Sequence, residues 1–395
     1  MKTSLRIGYI PLIDAAPVLI AADHGFAESE GLSIELVREV SWSNVRDKLN
    51  LGLFDAAHML APLPIASSLG IGHVKVPLIV PFTLALNGNA ITVSPALFAE
   101  LAAAADGDIA DPHVSARALH RVVADRRRRG APLLNFGMTF PFSNHNYQLR
   151  FWMSAGGVDP DEDVRLVVLP PPYMVDSLTS GHVDCFCVGA PWNSVAVDNG
   201  IGHILHFGTD IVRRMSEKVL AVRGNWAGDN PETLSALIRA LAKAAAYAED
   251  PANRGAVCDT IGARIGATAE VVSRTLKGVL KTTTEGETRA SDEYILLERR
   301  ETNRPDRAHA AWMYGDMVRW RQAALSSELQ AIAENVFRPD LYDAALGHPP
   351  AAAITDPPDR IGAFFGPDFV ASDIAGYLES GRLRHVGPPR LTLVR

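Results

Sequence analysis

The chain is nearly empty of cysteine. Three residues, Cys185, Cys187 and Cys258, in a length of 395 exclude a disulfide-stapled scaffold, and an odd, sparse count points to a reducing compartment. Cys185-Phe186-Cys187 is too tight for a zinc ribbon, which needs two residues between ligands, and no matching pair occurs elsewhere. It reads as two small apolar side chains on one face of a strand. No apolar run approaches the ~18 residues of a membrane span, so no membrane insertion is expected. A formal charge of −7 speaks against direct nucleic-acid binding, because a phosphate backbone demands a basic face. The one basic run, Arg126–Arg129, reads as a solvated helix end near the negative pole of the helix dipole. Catalytic signatures are missing as well: there is no G-x-S-x-G, G-x-x-x-x-G-K-[ST], H-E-x-x-H or G-x-G-x-x-G, and neither metal nor cofactor is expected. Nothing like a secretory leader opens the sequence. Only Lys2 precedes the alternating run Leu5–Ile10, so folded structure is expected to begin near residue 4 and the chain to reside in the cytoplasm.

What the chain does have is alternation. "LRIGYI", "LSIELV", "AAHML", "VPLIVPF", "AITVS", "LLNFGM", "RLVVLP", "DCFCVG" and "KVLAVR" are strand candidates in the first 230 residues. Between them lie helical runs such as Ala15–His24, Ser43–Leu51, Ala116–Asp125, Gln148–Ala155 and Met174–Thr179. Such alternation implies α/β layers with largely parallel sheets. From Pro231 to about Asp250 the pattern turns helical, and helices are expected again over Val271–Val279, Asp292–Arg299 and Arg307–Ile332. The Pro-, Gly- and Asp-rich tail after Val336 is expected to form short elements that wrap the body.

Polar and aromatic residues stand just after strands or at helix starts, in "SWSNVRD", "DAAHMLAPLP", "LNGNAITV", "TFPFSNHNYQLRFWMSAGG", "LPPPYMV", "DCFCVGAPWN" and "RRMSEKVLAVRGNW". Those are the places where open α/β sheets bind ligands and free backbone N–H groups hold anions. On "GYIPLIDAAP", "SWSNVRDKLNLGLFDAAHMLAPLP", "CFCVGAPWN" and "FRPDLYDAAL", the chain resembles the nitrate- and bicarbonate-binding receptors of ABC importers, over nearly its whole length. The resemblance implies a two-lobed type II periplasmic-binding-protein-like α/β fold with a hinge and an inter-lobe ligand cleft. The first lobe is expected from residues 1–93 and 209–335, the second from 94–208, with 336–395 packing across the body.

The resemblance also implies a site. Trp42 matches a ligand-contacting Trp, Asn89 stands where the nitrate receptors usually have Gln, and His145 matches a pocket His. Gly189 matches a backbone contact and Lys218 a cationic one. Taken alone, each is an ordinary core, turn or surface residue; in order and at family spacing they form a set. Their chemistry suits nitrate, a flat monoanion with charge spread over three oxygens. Lys218 supplies a compensating ammonium, His145 donates from a ring nitrogen, Trp42 offers a ring face or its N–H, Asn89 offers its amide, and Gly189 exposes an N–H without a Cβ. Lys218→Ala is expected to abolish nitrate affinity and leave the fold intact. His58 reads as a satisfied buried histidine beside the cleft, and Arg46 with Asp47 as an exposed pair.

Within the family, a leaderless branch of the NasS type senses cytoplasmic nitrate or nitrite and holds a NasT-type RNA-binding antiterminator that controls nitrate assimilation. The expected function is that of such a sensor, not an enzyme. The alternative is the receptor of a nitrate or bicarbonate importer, and Glu217 beside Lys218 keeps bicarbonate open, since an acidic residue with calcium acts near that place in the bicarbonate branch. A third possibility, a pyrimidine synthase of the same fold, is only faintly echoed by "DCFC".

Overall fold

A computed structural model describes residues 2–349 and 361–380. Its strands are β1 (Thr3–Tyr9), β2 (Leu32–Arg38), β3 (Ala56–Leu60), β4 (Leu78–Asn87), β5 (Asn89–Val93), β6 (Asn135–Met138), β7 (Arg165–Val168) and β8 (Cys185–Gly189). They continue with β9 (His203–Phe207), β10 (Val212–Arg213), β11 (Ser216–Arg223), β12 (Val279–Lys281), β13 (Thr288–Ala290), β14 (Ile295–Leu296) and β15 (Gly362–Ala363). Two mixed sheets carry the fold. The first runs β14-β4-β11-β3-β1-β2 and the second β7-β6-β8-β5-β9. Each has a parallel part, β3-β1-β2 and β7-β6-β8, built through helical crossovers. Each also has an antiparallel part that contains a strand arriving from the other sheet. The architecture is the two-lobed α/β arrangement expected of the sequence.

The chain passes between the sheets at two adjacent points. At the first, Asn87 (φ 61°) and Gly88 (φ 92°) are consecutive left-handed residues that break β4 from β5. At the second, Arg214 (φ 45°) and Met215 lead from β10 into β11. The crossings are tied together, because the Asn87 backbone N–H donates to the Met215 carbonyl at 2.9 Å and its side-chain carbonyl accepts from the Met215 N–H at 2.9 Å. The left-handed pair also relocates one expected strand. Asn89–Val93, placed by the sequence at the end of the first lobe, pairs with β8 and β9 in the second sheet, with Asn89 opposite Gly189.

Helix Pro231–Glu249 covers the first sheet with a stripe of Leu234, Leu237, Leu241, Ala244 and Ala248, all buried at helical spacing, and packs on helix Ala16–Asp23. Two helical expectations change. Within 292–299, Ile295 and Leu296 form β14 and pair with Asn87 and Leu86, so the need of the β4 edge for a partner overrides local helix propensity. The long run 307–332 is two helices, Arg307–Arg319 and Ser327–Val336, broken at Arg321 (φ 61°) and restarted by the Ser326 cap. In the tail, β15 pairs antiparallel with β10, Phe365 packs 5.9 Å from Phe151, and Phe369 meets Trp312 edge-on at 5.2 Å. Residues 350–360 and 381–395 of the expected wrapping segment lie outside the described residues.

Candidate functional site

Two serine-capped helices aim their first turns at the gap between the sheets. Ser41 accepts from the Asn44 N–H at 3.3 Å and starts helix Trp42–Asn50, which puts Trp42 in its first turn. Ser143 accepts from the Asn146 N–H at 3.2 Å and starts helix Asn144–Ala155, four residues earlier than expected from sequence, with His145 in its first turn. "SWSN" and "SNHN" are thus the same device used once on each side of the cleft.

β11 supplies the charges, and it does so through an irregularity. Side chains alternate along a regular strand, so neighbours such as Glu217 and Lys218 ordinarily face opposite ways. Here Ser216 and Lys218 pair with the consecutive residues Leu86 and Ala85 of β4, a bulge that brings both neighbours to the cleft. The Lys218 ammonium lies 2.7 Å from a Glu217 carboxylate oxygen and 3.0 Å from Asp14 Oδ2. Behind it stands the Trp42 ring, its centre 5.6 Å from Nζ. His58 braces Asp14: its Nδ1 accepts from the Ile10 N–H at 3.4 Å, which leaves Nε2 to donate to Asp14 Oδ1 at 2.9 Å. His58 is therefore a satisfied buried histidine, as expected. Arg46 does pair with Asp47, yet it is largely covered and packs over Phe140 across the cleft.

The second sheet and its helix bring neutral groups to the same place. Asn89 Nδ2 donates to the other Glu217 oxygen at 2.8 Å and lies 3.4 Å from Gln148 Oε1. His145 Nε2 sits 3.5 Å from Glu217 Oε1, and Nδ1 is 3.0 Å from the Thr139 hydroxyl. A bare nitrogen lone pair facing a carboxylate is repulsive, so the favoured tautomer has Nδ1 accepting from Thr139 and Nε2 carrying the proton. Gly189 closes the ring: a Cβ there would stand 3.3 Å from Asp14 Oδ2 and 3.6 Å from Lys218 Nζ. Asn89, His145, Glu217 and Lys218 are all 0% exposed, so the cleft is shut over the cluster.

Burial sets the protonation states unequally. It pushes Asp14 up, but the Lys218 ammonium and the His58 hydrogen bond outweigh it and hold that carboxyl below its ordinary value. For Glu217 burial wins over Lys218 and Asn144, with Asp14 adding to the rise, and its pKa lies above the ordinary value. Burial opposes charge on Lys218, yet the two carboxylates more than compensate and raise it. Burial and the nearby ammonium drop His145 well below its ordinary value, so it is neutral. Cys185 and Cys187 are buried free thiols held protonated, first by burial.

All five sequence-selected residues, Trp42, Asn89, His145, Gly189 and Lys218, therefore meet at one point. Sequence reasoning did not find Asp14 or Gln148, and it considered Glu217 only as a calcium-branch feature. Lys218 was expected to be a lone cation; it is instead held between two carboxylates. Two donors of the set, Trp42 Nε1 and His145 Nε2, have no hydrogen-bond partner although buried. Among the described residues no helix is long and apolar enough to cross a membrane.

Comparison with known proteins agrees with this architecture. The NMT1-like family matches residues 1–262. The nitrate import ATP-binding protein NrtC of Synechocystis sp. is 32% identical over 385 residues, covering 96% of this chain but 55% of its own length, so the chain spans about half of that relative. The nitrate/nitrite binding protein NrtA of Synechococcus elongatus is 31% identical over 351 residues, with 86% of this chain and 77% of NrtA covered. The bicarbonate transport ATP-binding protein CmpC of Synechococcus elongatus is 32% identical over 386 residues, covering 96% of this chain and 55% of CmpC. Among solved structures, the periplasmic nitrate-binding protein NrtA of Synechocystis superposes with a TM-score of 0.86 at 26% identity, covering 96% of this chain and 99% of that one. The desulfurization enzyme DSZB, at a TM-score of 0.52 and 14% identity over 88% of this chain and 99% of its own, shares the fold alone. With its hinged pair of sheets, its buried polar cluster between them and these matches, the chain belongs to the NMT1-like family and, within it, to the nitrate- and bicarbonate-binding receptors.

Proposed function

We propose that this protein binds nitrate, or its close relative nitrite, between its lobes and serves as the receptor of an anion import system. The observation that carries the reading is the pair of buried N–H donors, Trp42 Nε1 and His145 Nε2, one from each lobe, left without hydrogen-bond partners near the buried ammonium of Lys218. A buried donor without an acceptor costs about 1–3 kcal/mol, so two of them around one cation call for a small ligand with acceptors on every edge. Nitrate is such a ligand. Trp42 and Lys218 hold it from the first lobe, with Asp14 fixing the ammonium, and Asn89, His145 and Gly189 hold it from the second. The lobes divide at Asn87–Gly88 and at Arg214–Met215, where backbone turns absorb opening and closing. Similarity to NrtA over 86% of this chain in sequence and 96% in structure supports the choice of anion. A thermal-shift and calorimetry panel of nitrate, nitrite, bicarbonate and sulfate tests it. Nitrate at 100 times its Kd adds about 2.7 kcal/mol of apparent stability by mass action. A panel in which no oxyanion raises the melting temperature overturns the reading.

One observation favours a second, finer role. All three cysteines are free, which suits a reducing compartment. There the same closure reports on nitrate rather than delivering it, by changing a surface that holds a NasT-type antiterminator. Co-purification with such a partner that is lost on adding nitrate supports the sensor. Nitrate-insensitive association, or none, leaves the importer receptor.

A further inference from the structure

Two donors of the site, Lys218 and Asn89, are already engaged by an anion that His145 Nε2 also faces, and that anion is part of the chain. One Glu217 oxygen takes the Lys218 ammonium at 2.7 Å and faces His145 Nε2 at 3.5 Å; the other takes the Asn89 amide at 2.8 Å. Three of the residues assigned above to nitrate thus point at one carboxylate. Glu217 comes from the first lobe, while His145 and Asn89 come from the second, so the side chain spans the cleft as a bound ligand would.

We propose that Glu217 is a tethered competitor for the anion, and that a monoanion enters the site together with one proton, which Glu217 takes up from solvent. This rests on the nitrate-binding reading. Charge is the reason. Asp14 and Lys218 neutralise one another, so an ionised Glu217 leaves the cluster with one net negative charge, and a second unpaired anion inside the closed, buried cleft is strongly disfavoured. Once protonated, Glu217 loses its charge and holds the ammonium and the amide more weakly, and its O–H becomes a donor for the incoming oxygen.

The groups facing Glu217 leave no better carrier for the proton. From the turn before helix Ala16–Asp23 comes Asp14, which Lys218 and His58 keep ionised. From helix Asn144–Ala155 come His145, kept neutral by burial and Lys218, and the uncharged Asn144. From β8 comes Cys187, a thiol kept protonated by burial, with Glu217 itself adding to that rise. From β5 comes Asn89, which does not titrate, and on β11 Lys218 stays charged. Glu217 is the remaining group, and burial has already moved it toward the protonated form. A bound anion moves it further. The sign follows: affinity strengthens as pH falls, by as much as about tenfold per pH unit, until Glu217 is protonated in the free protein, and is flat below that point.

The test is nitrate calorimetry on the full chain between pH 5.5 and 8.5, in two buffers of different ionisation enthalpy, with Glu217→Gln beside the wild type. The expected wild-type result is net proton uptake approaching one per nitrate, and affinity that weakens as pH rises. The expected variant result is no uptake, a flat pH profile and binding at pH 8.5 at least tenfold tighter than wild type. Nitrate binding without proton uptake and with a flat wild-type profile overturns the inference and leaves the receptor reading standing. Absence of nitrate binding in both proteins at every pH overturns both. Should circular dichroism show the variant unfolded, the wild-type proton count decides alone.

Discussion

The two sides of the cleft are made of different material. The first sheet and its helices bring every charge, Asp14, Glu217 and Lys218, with His58 behind them; the second brings Asn89, His145, Gln148 and Gly189, all uncharged. The ion pair of Asp14 and Lys218 consequently lies inside one lobe and survives opening. Had its partners sat on opposite lobes, each opening would strip a buried charge of its counterion, at about 3–5 kcal/mol. Neutral amides and an imidazole are cheap to return to water. A receptor that must release its ligand as well as hold it is served by this division, and of the three charged side chains Glu217 is the one hydrogen-bonded across it.

Removing the charge from the charged side is the harshest way to break the comparison. Lys218→Met leaves Asp14 and Glu217 buried together without a cation, so nitrate binding is lost and the fold weakens by about 3–5 kcal/mol. The sequence alone led to an intact fold for a Lys218 substitution, because neither the Asp14 contact nor the Glu217 contact is written in it. Urea denaturation at pH 7 checks the stability and calorimetry the binding. The loss of stability shrinks as pH falls, since Glu217, whose pKa is raised, takes up its proton first. A variant as stable as wild type at pH 7 would show that the carboxylates do not depend on Lys218.

A cut on the neutral side should behave differently. His145→Phe keeps an aromatic ring, though a larger one, and removes both ring nitrogens, so it costs nitrate one hydrogen bond to an ion, about 1.5–3 kcal/mol or roughly ten- to a hundredfold in affinity. Stability falls less than in Lys218→Met, because His145 carries no charge and gives up one neutral hydrogen bond, that from Thr139 to Nδ1, its Nε2 having no partner in the protein. Chemical denaturation and calorimetry on the same sample separate the two effects. Equal stability losses in both variants would erase the contrast between the two sides.

How far the sequence carried depends on what kind of signal each residue leaves. Trp42 and His145 stand one and two places after serine caps, and a cap followed by an aromatic at a strand's end is visible in "SWSN" and "SNHN". The alternation of strands and helices was equally plain, since buried parallel strands are short apolar runs. β14 was not, because "YILLE" is helical by local preference and takes strand form only beside the open edge of β4. The division at Asn87–Gly88 was hidden for a related reason: "LNGNA" looks like a turn within one lobe, and only pairing partners reveal that β5 has changed sheets. Glu217 and Lys218 defeat pattern reading outright, as period-two alternation sends neighbours to opposite faces and the bulge overrides it. Asp14 lies in a turn with no periodicity at all.

The smallest change sharpens the comparison at its border. Trp42 belongs to the charged side yet offers a neutral donor, and its ring is fixed by two contacts: the Lys218 ammonium at 5.6 Å and the His58 ring, edge-on at 5.4 Å. Trp42→Phe keeps an aromatic face toward both and deletes only Nε1–H with part of the ring. The ligand-free protein should change by less than about 1 kcal/mol, because lost packing is offset by relief of a buried donor without a partner. Nitrate, by contrast, loses one hydrogen bond to an ion, about 1.5–3 kcal/mol or roughly ten- to a hundredfold, with no accompanying loss of fold stability. The diagnostic is therefore the divergence of two numbers from one variant, an unmoved melting temperature without nitrate and a smaller shift with it. If affinity stays at the wild-type value, Trp42 serves Lys218 by its ring face alone, and the donors that reach the anion all come from the uncharged lobe and from Lys218 itself.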